Sequence, residues 1–196
     1  MIELISGKVA CFLCSDENDK ESYELYKYAV YIVLSALWHI VTIIILGVCF
    51  GLVLESILFY LSFIAIRKFA GGYHAKRPLG CYAFSVATIV LSLASLNILL
   101  IYDNLIINIV LLMFQLLCLG VIFVLAPLDT ENNPLGDKEK RLYKKISIVN
   151  SSVVFLLGLL FLFLNYRGIY LALFFGTLVS TLVLVMRKIQ ILCQKD

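Results

Sequence analysis

Two residues in one short polar stretch have side chains that could act together in nucleophilic catalysis. His74 and Cys81 lie seven residues apart in the segment 67–81, which interrupts a strongly apolar chain. A thiol attacks a carbonyl carbon as its thiolate, and a nearby imidazole can accept the thiol proton. The pair therefore predicts acyl-transfer chemistry, with Cys81 as the nucleophile and His74 as the base.

The spacing of His74 and Cys81 restricts how their side chains can meet. On one unbroken helix, seven residues would separate them by about 10.5 Å along the axis, which is too far for direct proton transfer. Pro78 and Gly80 disfavour a continuous helix, so we predict a turn at 78–80 that brings the two side chains together. Cys81 would then begin the next helix, where free backbone N–H groups favour a thiolate and could hold a developing oxyanion.

Other residues near this pair could support the reaction. Arg67 could offset the cost of ionising a partly buried thiol, and Gly71 and Gly72 permit close approach of a peptide backbone. Ser85 follows Cys81 by one helical turn and could be a local hydrogen-bond partner. We predict that these residues support the site without reacting themselves.

The composition of the chain predicts what must hold this stretch in place. The 196 residues are 62% hydrophobic and 15% charged, with a mean hydropathy of +1.01. Soluble domains carry about a quarter charged residues, so this chain has too little polar surface to cover a globule in water. We predict an all-α polytopic integral membrane protein, because helices satisfy their own backbone polar groups inside a bilayer.

Six apolar segments are predicted to cross the bilayer, which takes about 20 residues for each helix. They cover residues 28–50, 52–66, 82–101, 105–125, 146–164 and 169–186, and the second is short. Residues 1–14 carry apolar side chains at helical spacing, which predicts an amphipathic interfacial helix within an N-terminal region of residues 1–27. The length suits one membrane-embedded domain, residues 1–196.

The distribution of basic residues predicts the orientation of these spans. Basic side chains concentrate in the segments 67–81 and 126–145 and in the C-terminal tail, whereas the alternate gaps are short. Cytoplasmic loops of membrane proteins carry an excess of Lys and Arg. Both termini, the catalytic loop 67–81 and the basic loop 126–145 are therefore predicted to be cytoplasmic.

The basic loop has two explanations that the sequence leaves open. Its cations could attract an acidic segment of a peptide substrate, or they could reflect membrane topology alone. The residues concerned are Lys138, Lys140, Arg141, Lys144 and Lys145.

A third catalytic residue could come from the same loop. Asp129 and Glu131 are predicted to lie on the same side of the membrane as His74. Either carboxylate could orient the imidazole, as the acid does in a catalytic triad. The spacing does not choose between them, and Asp129 is the candidate we carry forward.

The sequence predicts neither a metal nor another cofactor, and no nucleic-acid partner. Cys11 and Cys14 have CxxC spacing, but no second ligand pair accompanies them, so we interpret them as small apolar residues. No glycine-rich phosphate-binding loop indicates use of ATP. We interpret His39, inside the first apolar segment, as a neutral histidine packed against a neighbouring helix.

Two stretches of this sequence resemble the signature of the accessory gene regulator B family. The first is residues 67–75, Arg-Lys-Phe-Ala-Gly-Gly-Tyr-His-Ala, followed by Cys81, and the second is residues 126–136, followed by the basic run. Size, hydropathy and segment order agree over nearly the whole chain. The resemblance marks Cys81 as nucleophile and His74 as base, and it marks the positions of Arg67 and Gly72 as needed for activity.

Members of that family are membrane cysteine endopeptidases of Gram-positive quorum sensing. The resemblance implies cleavage of the C-terminal part of a short signal-peptide precursor through an enzyme thioester, followed by closure of a thiolactone or lactone ring. It implies a precursor with an amphipathic N-terminal and an acidic C-terminal segment. It also implies a homodimer in the bacterial cell membrane, in contact with lipid.

Two other functions stay open at the level of sequence. The chain could be a non-catalytic membrane protein that binds or exports a small peptide, with Cys81 in a structural role. It could also be a small secondary transporter, which predicts inverted repeats and ionisable residues near the membrane midplane. Only His39 is a weak match to the transporter, so we rank that function last.

Overall fold

The computed structural model describes residues 2–13, 20–72, 78–128 and 136–193, and this part of the chain is helical, with no strand. The helices are α1 Ile2–Leu13, α2 Lys20–Phe50, α3 Val53–Ala70, α4 Pro78–Ile101, α5 Leu105–Leu125, α6 Asp137–Phe163 and α7 Arg167–Cys193. The predicted all-α class is therefore confirmed.

Five of these helices (α2, α4, α5, α6 and α7) are long and apolar enough to cross a membrane. They correspond to five of the six apolar segments, and they make the chain a multi-pass membrane protein. The sixth segment, 52–66, lies in α3, which has only 18 residues and carries Glu55, Arg67 and Lys68. With a length of about 27 Å, α3 is shorter and more polar than the five spans.

The chain forms two compact units, residues 1–45 and 46–196. In the first unit, a cavity of about 340 Å³ with an apolar lining lies between α1 and the first half of α2. Ser6 and Ala10 of α1 are buried, whereas Ile5 and Phe12 are exposed. This helix therefore has the outward apolar face that an interfacial helix requires. The interpretation of the chain as a single domain stays a prediction.

In the second unit, α7 is the central helix. It packs against α3, α4, α5 and α6, and 72% of its most apolar stretch is buried, against 22% for α6. Its buried hydroxyl groups donate hydrogen bonds to carbonyl oxygens of its own preceding turn: Thr177 to Leu173, Ser180 to Gly176 and Thr181 to Thr177. A helix that satisfies its polar side chains in this way can be surrounded by others inside a bilayer.

The closest approach of α7 is to α3. A Cβ added to Gly176 would meet the Oγ of Ser62 and would lie 2.9 Å from the carbonyl oxygen of Phe59. The Oγ of Ser180 also donates to the carbonyl oxygen of Phe63 over 3.3 Å. Small residues let two backbones approach in this way, and van der Waals packing then replaces the hydrophobic effect that is absent in lipid.

The start of α7 is tied to the loop between α4 and α5 by one arginine. The Nε of Arg167 donates to Oδ1 of Asn108 over 3.2 Å, and its Nη2 donates to the carbonyl oxygen of Tyr102 over 2.7 Å. Asp103 lies 3.4 Å from the same Nε, but its side chain is 67% exposed. This contact lies at the end of the unit opposite to the end of α3, and it fixes α7 against α5.

Candidate active site

Cys81 lies in the first turn of α4, because that helix begins at Pro78. The predicted turn at 78–80 is therefore wrong, and both Pro78 and Gly80 are helical. Proline has a φ suited to a helix, and the first turn does not need its missing N–H, so it favours helix initiation at this position. The expected consequence for Cys81 is kept, since backbone N–H groups of a first helical turn have no partner within the helix.

Arg67 is the nearest described partner of Cys81. A side-chain hydrogen bond joins the two residues, one at the end of α3 and the other at the start of α4. Burial lowers the pKa of the Arg67 guanidinium, and the neighbouring Cys81 and Tyr60 side chains oppose that shift. The guanidinium also lies over the ring of Phe63, with Cζ 5.3 Å from the centroid. A cation held in this position favours the thiolate form of a cysteine.

Gly71 brings the two sequence motifs together. It follows the last residue of α3 with a φ of +80°, and its N–H donates to the carbonyl oxygen of Arg67 over 3.1 Å. A Cβ at this position would meet the carbonyl oxygen of Leu128, and the amide of Leu128 donates to the carbonyl oxygen of Ala70 over 3.1 Å. The segment that follows α5 therefore lies directly against the segment that leads towards His74.

Gly72 lies between Arg67 and α7. A Cβ on Gly72 would be 2.8 Å from Cγ1 of Val183 and 3.7 Å from Nε of Arg67. Any side chain at this position would displace Val183 or the arginine that contacts Cys81. The prediction that Gly72 permits close approach is consistent with this packing, although the neighbour in this case is α7.

The predicted basic residues lie in the first turns of α6, where Lys140 is half-buried and the other four are exposed. Tyr143, among them, contacts Phe69 of α3 edge to face, with 5.6 Å between ring centroids. Further along, Nδ2 of Asn150 donates to the carbonyl oxygen of Ala65 over 2.7 Å. The basic turns of α6 are therefore at the same end of the unit as Arg67.

Several predicted residues remain to be placed. His74, Asp129 and Glu131 lie outside the described residues, as does Cys14. Ser85 is half-buried on α4, one turn beyond Cys81. Within the described ranges, no cluster of His, Cys, Asp or Glu side chains could hold a metal ion.

Two residues of this region were missed by sequence reasoning. Val183 packs at Gly72, and Arg187, one turn further along α7, is only 8% exposed. In the sequence, Arg187 is one of several cations after the last apolar segment, and it is indistinguishable from a topological marker. Its burial is a property of the packing of α7, which the apolar pattern does not contain.

Comparison with known proteins agrees with this arrangement. The family described as Accessory gene regulator B matches residues 6–186, which is nearly the whole chain. The chain belongs to the accessory gene regulator B family. No solved structure matches it.

Relatives of this AgrB family member occur in Clostridium perfringens and Listeria. A protein of C. perfringens strain 13, whose name marks it as AgrB-like, is 29% identical over 181 residues, covering 86% of this chain and 80% of its own length. An AgrB-like protein of Listeria welshimeri is 27% identical over 169 residues, covering 83% and 79%. An AgrB-like protein of L. monocytogenes has the same identity and coverage. The family assignment confirms the resemblance inferred from the two motifs.

Proposed function

We propose that the chain is a membrane cysteine endopeptidase and peptide cyclase that processes a short signal-peptide precursor in quorum sensing. The observation that carries the proposal is the hydrogen bond between Arg67 and Cys81 at the first turn of α4. A thiol at a helix start, beside a guanidinium, is in a setting that favours a nucleophilic thiolate. Membership of the AgrB family supports the same function.

The proposed reaction has two acyl transfers. In the first, Sγ of Cys81 bonds to the carbonyl carbon of the scissile peptide bond, the C–N bond breaks, and the amine of the C-terminal fragment leaves with a proton donated by His74. In the second, a thiol or hydroxyl within the retained peptide attacks the thioester carbon. Its proton passes to His74 and Cys81 is released, so that a thiolactone or lactone ring closes.

The energetics of the first transfer constrain how the enzyme works. Conversion of a peptide bond to a thioester is uphill, whereas exchange of a thioester for a thiolactone is near neutral. The first step is therefore reversible, and removal of product must draw it forward. Exclusion of water protects the thioester, and the packing of Arg67 between Gly72 and α3 supports such shelter.

The basic turns of α6 support a role in peptide binding. Their exposed cations are at the same end of the unit as Cys81 and would attract an acidic C-terminal segment of the precursor. The same charges support a cytoplasmic position for this end, since cytoplasmic regions are rich in Lys and Arg. We include a homodimer and Asp129 as the residue that orients His74 in the proposal.

The test replaces the nucleophile in the full chain, reconstituted in lipid vesicles with a precursor peptide that has a central cysteine and an acidic C-terminal segment. Cys81→Ala should abolish cleavage while precursor binding is retained. Wild-type protein quenched during turnover should carry an acyl group on Cys81, detected by mass spectrometry and released by hydroxylamine. Cys49→Ala, at an exposed position near the end of α2, is the matched control and should process normally.

Intact processing by Cys81→Ala would overturn the proposal and would favour the non-catalytic alternative, in which the chain binds or exports the peptide. Cleavage without an acyl-enzyme would also contradict it, because the two-transfer scheme requires the thioester. His74→Gln should keep the protein folded and prevent accumulation of the acyl-enzyme, since the thiol would lose its base.

A further inference from the structure

Arg187 is a buried cation close to the candidate site that the reaction scheme above does not use. Its side chain is only 8% exposed, although it lies in the last two turns of α7. The next residue, Lys188, is more open to solvent. Arginine and lysine near the ends of spanning helices usually extend their charged groups into water. The burial of Arg187 therefore calls for a functional explanation.

The geometry of α7 directs Arg187 towards Gly72. Val183 packs at Gly72, and Arg187 follows Val183 by four residues on the same helix face, about 6 Å further along the axis. Because Cα–Cβ bonds tilt towards the start of a helix, the Arg187 side chain leans back towards Val183. Its Nη1 donates to Oε1 of Gln190 over 2.9 Å, and this contact steadies the guanidinium.

Gly72 links Arg187 to the nucleophile. The Cβ position of Gly72 that lies against Val183 also lies 3.7 Å from Nε of Arg67, which is hydrogen-bonded to Cys81. The turn of α7 that carries Arg187 and the arginine that contacts the thiol therefore meet at the same glycine. A peptide that enters this region to reach Cys81 would come close to both guanidinium groups.

We propose that Arg187 binds a carboxylate of the peptide substrate and thereby positions the peptide against Cys81. The inference deepens the proposed function and rests on it. A guanidinium can hold a carboxylate with two parallel hydrogen bonds, and such a pair gains strength where water is excluded. The exposed cations of α6 attract acidic peptides only weakly and at longer range. The buried arginine is therefore the better candidate for selecting one acidic position.

The test measures processing kinetics in lipid vesicles with a set of precursor peptides in which one acidic residue at a time is replaced by its amide. In the wild type, neutralising the carboxylate that Arg187 binds should raise KM by roughly tenfold, equivalent to about 1.4 kcal/mol. Arg187→Gln should raise KM for the fully acidic peptide by a similar factor, with kcat nearly unchanged. It should also remove the penalty at that single peptide position.

Two further variants separate binding from folding. Arg187→Lys keeps the charge but loses the planar fork, so it should recover only part of the discrimination. Lys188→Gln removes one charge from the adjacent residue and should leave the discrimination intact. Because Arg187→Lys places no neutral group at a site built around a cation, it keeps the test decisive if Arg187→Gln fails to fold.

The outcomes that overturn the inference are specific. Equal penalties at every peptide position in the wild type and in both Arg187 variants would exclude carboxylate recognition. A fall in kcat that is the same for all peptides would indicate a structural role. Failure of the proposed function gives a different result, because Cys81→Ala would then still process the peptide.

Discussion

The amide nitrogen of Leu128 donates a hydrogen bond to the carbonyl oxygen of Ala70 over 3.1 Å, and this bond fixes the segment after α5 against the end of α3. These residues belong to the two stretches that carry the family signature. The two motifs are separated by more than fifty residues in the sequence, and they form one continuous piece of structure. Gly71 lies at their junction.

Replacement of Gly71 by Ala should destabilise the protein and abolish processing. A side chain at a φ of +80° is strained, at a cost of about 1–2 kcal/mol, and the new Cβ would also meet the carbonyl oxygen of Leu128. Gly51→Ala is the matched control, because φ is +69° there and a Cβ would meet open space. Thermal unfolding in detergent should show the larger loss for Gly71→Ala, and equal losses would contradict the role of Leu128.

Replacement of Gly176 by Ala should separate α3 from α7. The added methyl group would meet the Oγ of Ser62 and the backbone of Phe59, and such overpacking costs about 1–3 kcal/mol. Gly120→Ala provides the comparison, since a Cβ at that helical position meets nothing within 4 Å. The Gly120 variant should be as stable as the wild type or slightly more stable. A melting temperature for Gly176→Ala equal to that of Gly120→Ala would show that the α3–α7 contact yields easily.

Replacement of Arg167 by Gln should lower stability by about 1.5–3 kcal/mol, because it removes buried charged hydrogen bonds. The bonds are those to Asn108 and to the carbonyl oxygen of Tyr102. Asp103→Asn removes only the exposed ion pair with the same arginine, and it should cost about 0.5 kcal/mol or less. Denaturation of both variants in one detergent gives the comparison, and a larger loss for Asp103→Asn would reverse our ranking of the two contacts.

Replacement of Arg67 by Gln should slow alkylation of Cys81 by iodoacetamide at neutral pH by roughly three- to tenfold, because a cation beside a thiol favours the reactive thiolate. The neighbouring Lys68 is exposed, so Lys68→Gln is the matched control and should leave the rate unchanged. The rate is followed by mass spectrometry of the fragment that contains Cys81. An unchanged rate in Arg67→Gln would mean that the contact between Arg67 and Cys81 does not activate the thiol.

The sequence predicts the fold well where the apolar pattern is long. Five apolar segments became spanning helices, since about 20 consecutive apolar residues leave a chain few alternatives in a bilayer. The start of α4 was placed incorrectly, because Pro78 and Gly80 were taken as breakers. A proline in the first helical turn starts a helix, and only its position relative to that start distinguishes the two effects.

The candidate site is predictable in part. The side-chain chemistry of Arg67 and Cys81 was readable from residue types, and the structure brings the two together. The contributions of Val183 and Leu128 were not readable, because both are apolar residues that act through packing at a glycine. No local pattern reports which turn of a distant helix fills that space.

The central position of α7 has a consequence for when the protein can become active. Packing at Gly72 requires Val183, and α7 follows α1–α6 in the chain, so it is synthesised after them. During synthesis, the end of α3 and the start of α4 are therefore made long before the helix that packs against them. The nucleophile can assume its final surroundings only when α7 has been inserted, and a nascent chain is thereby kept from reacting with its substrate too early.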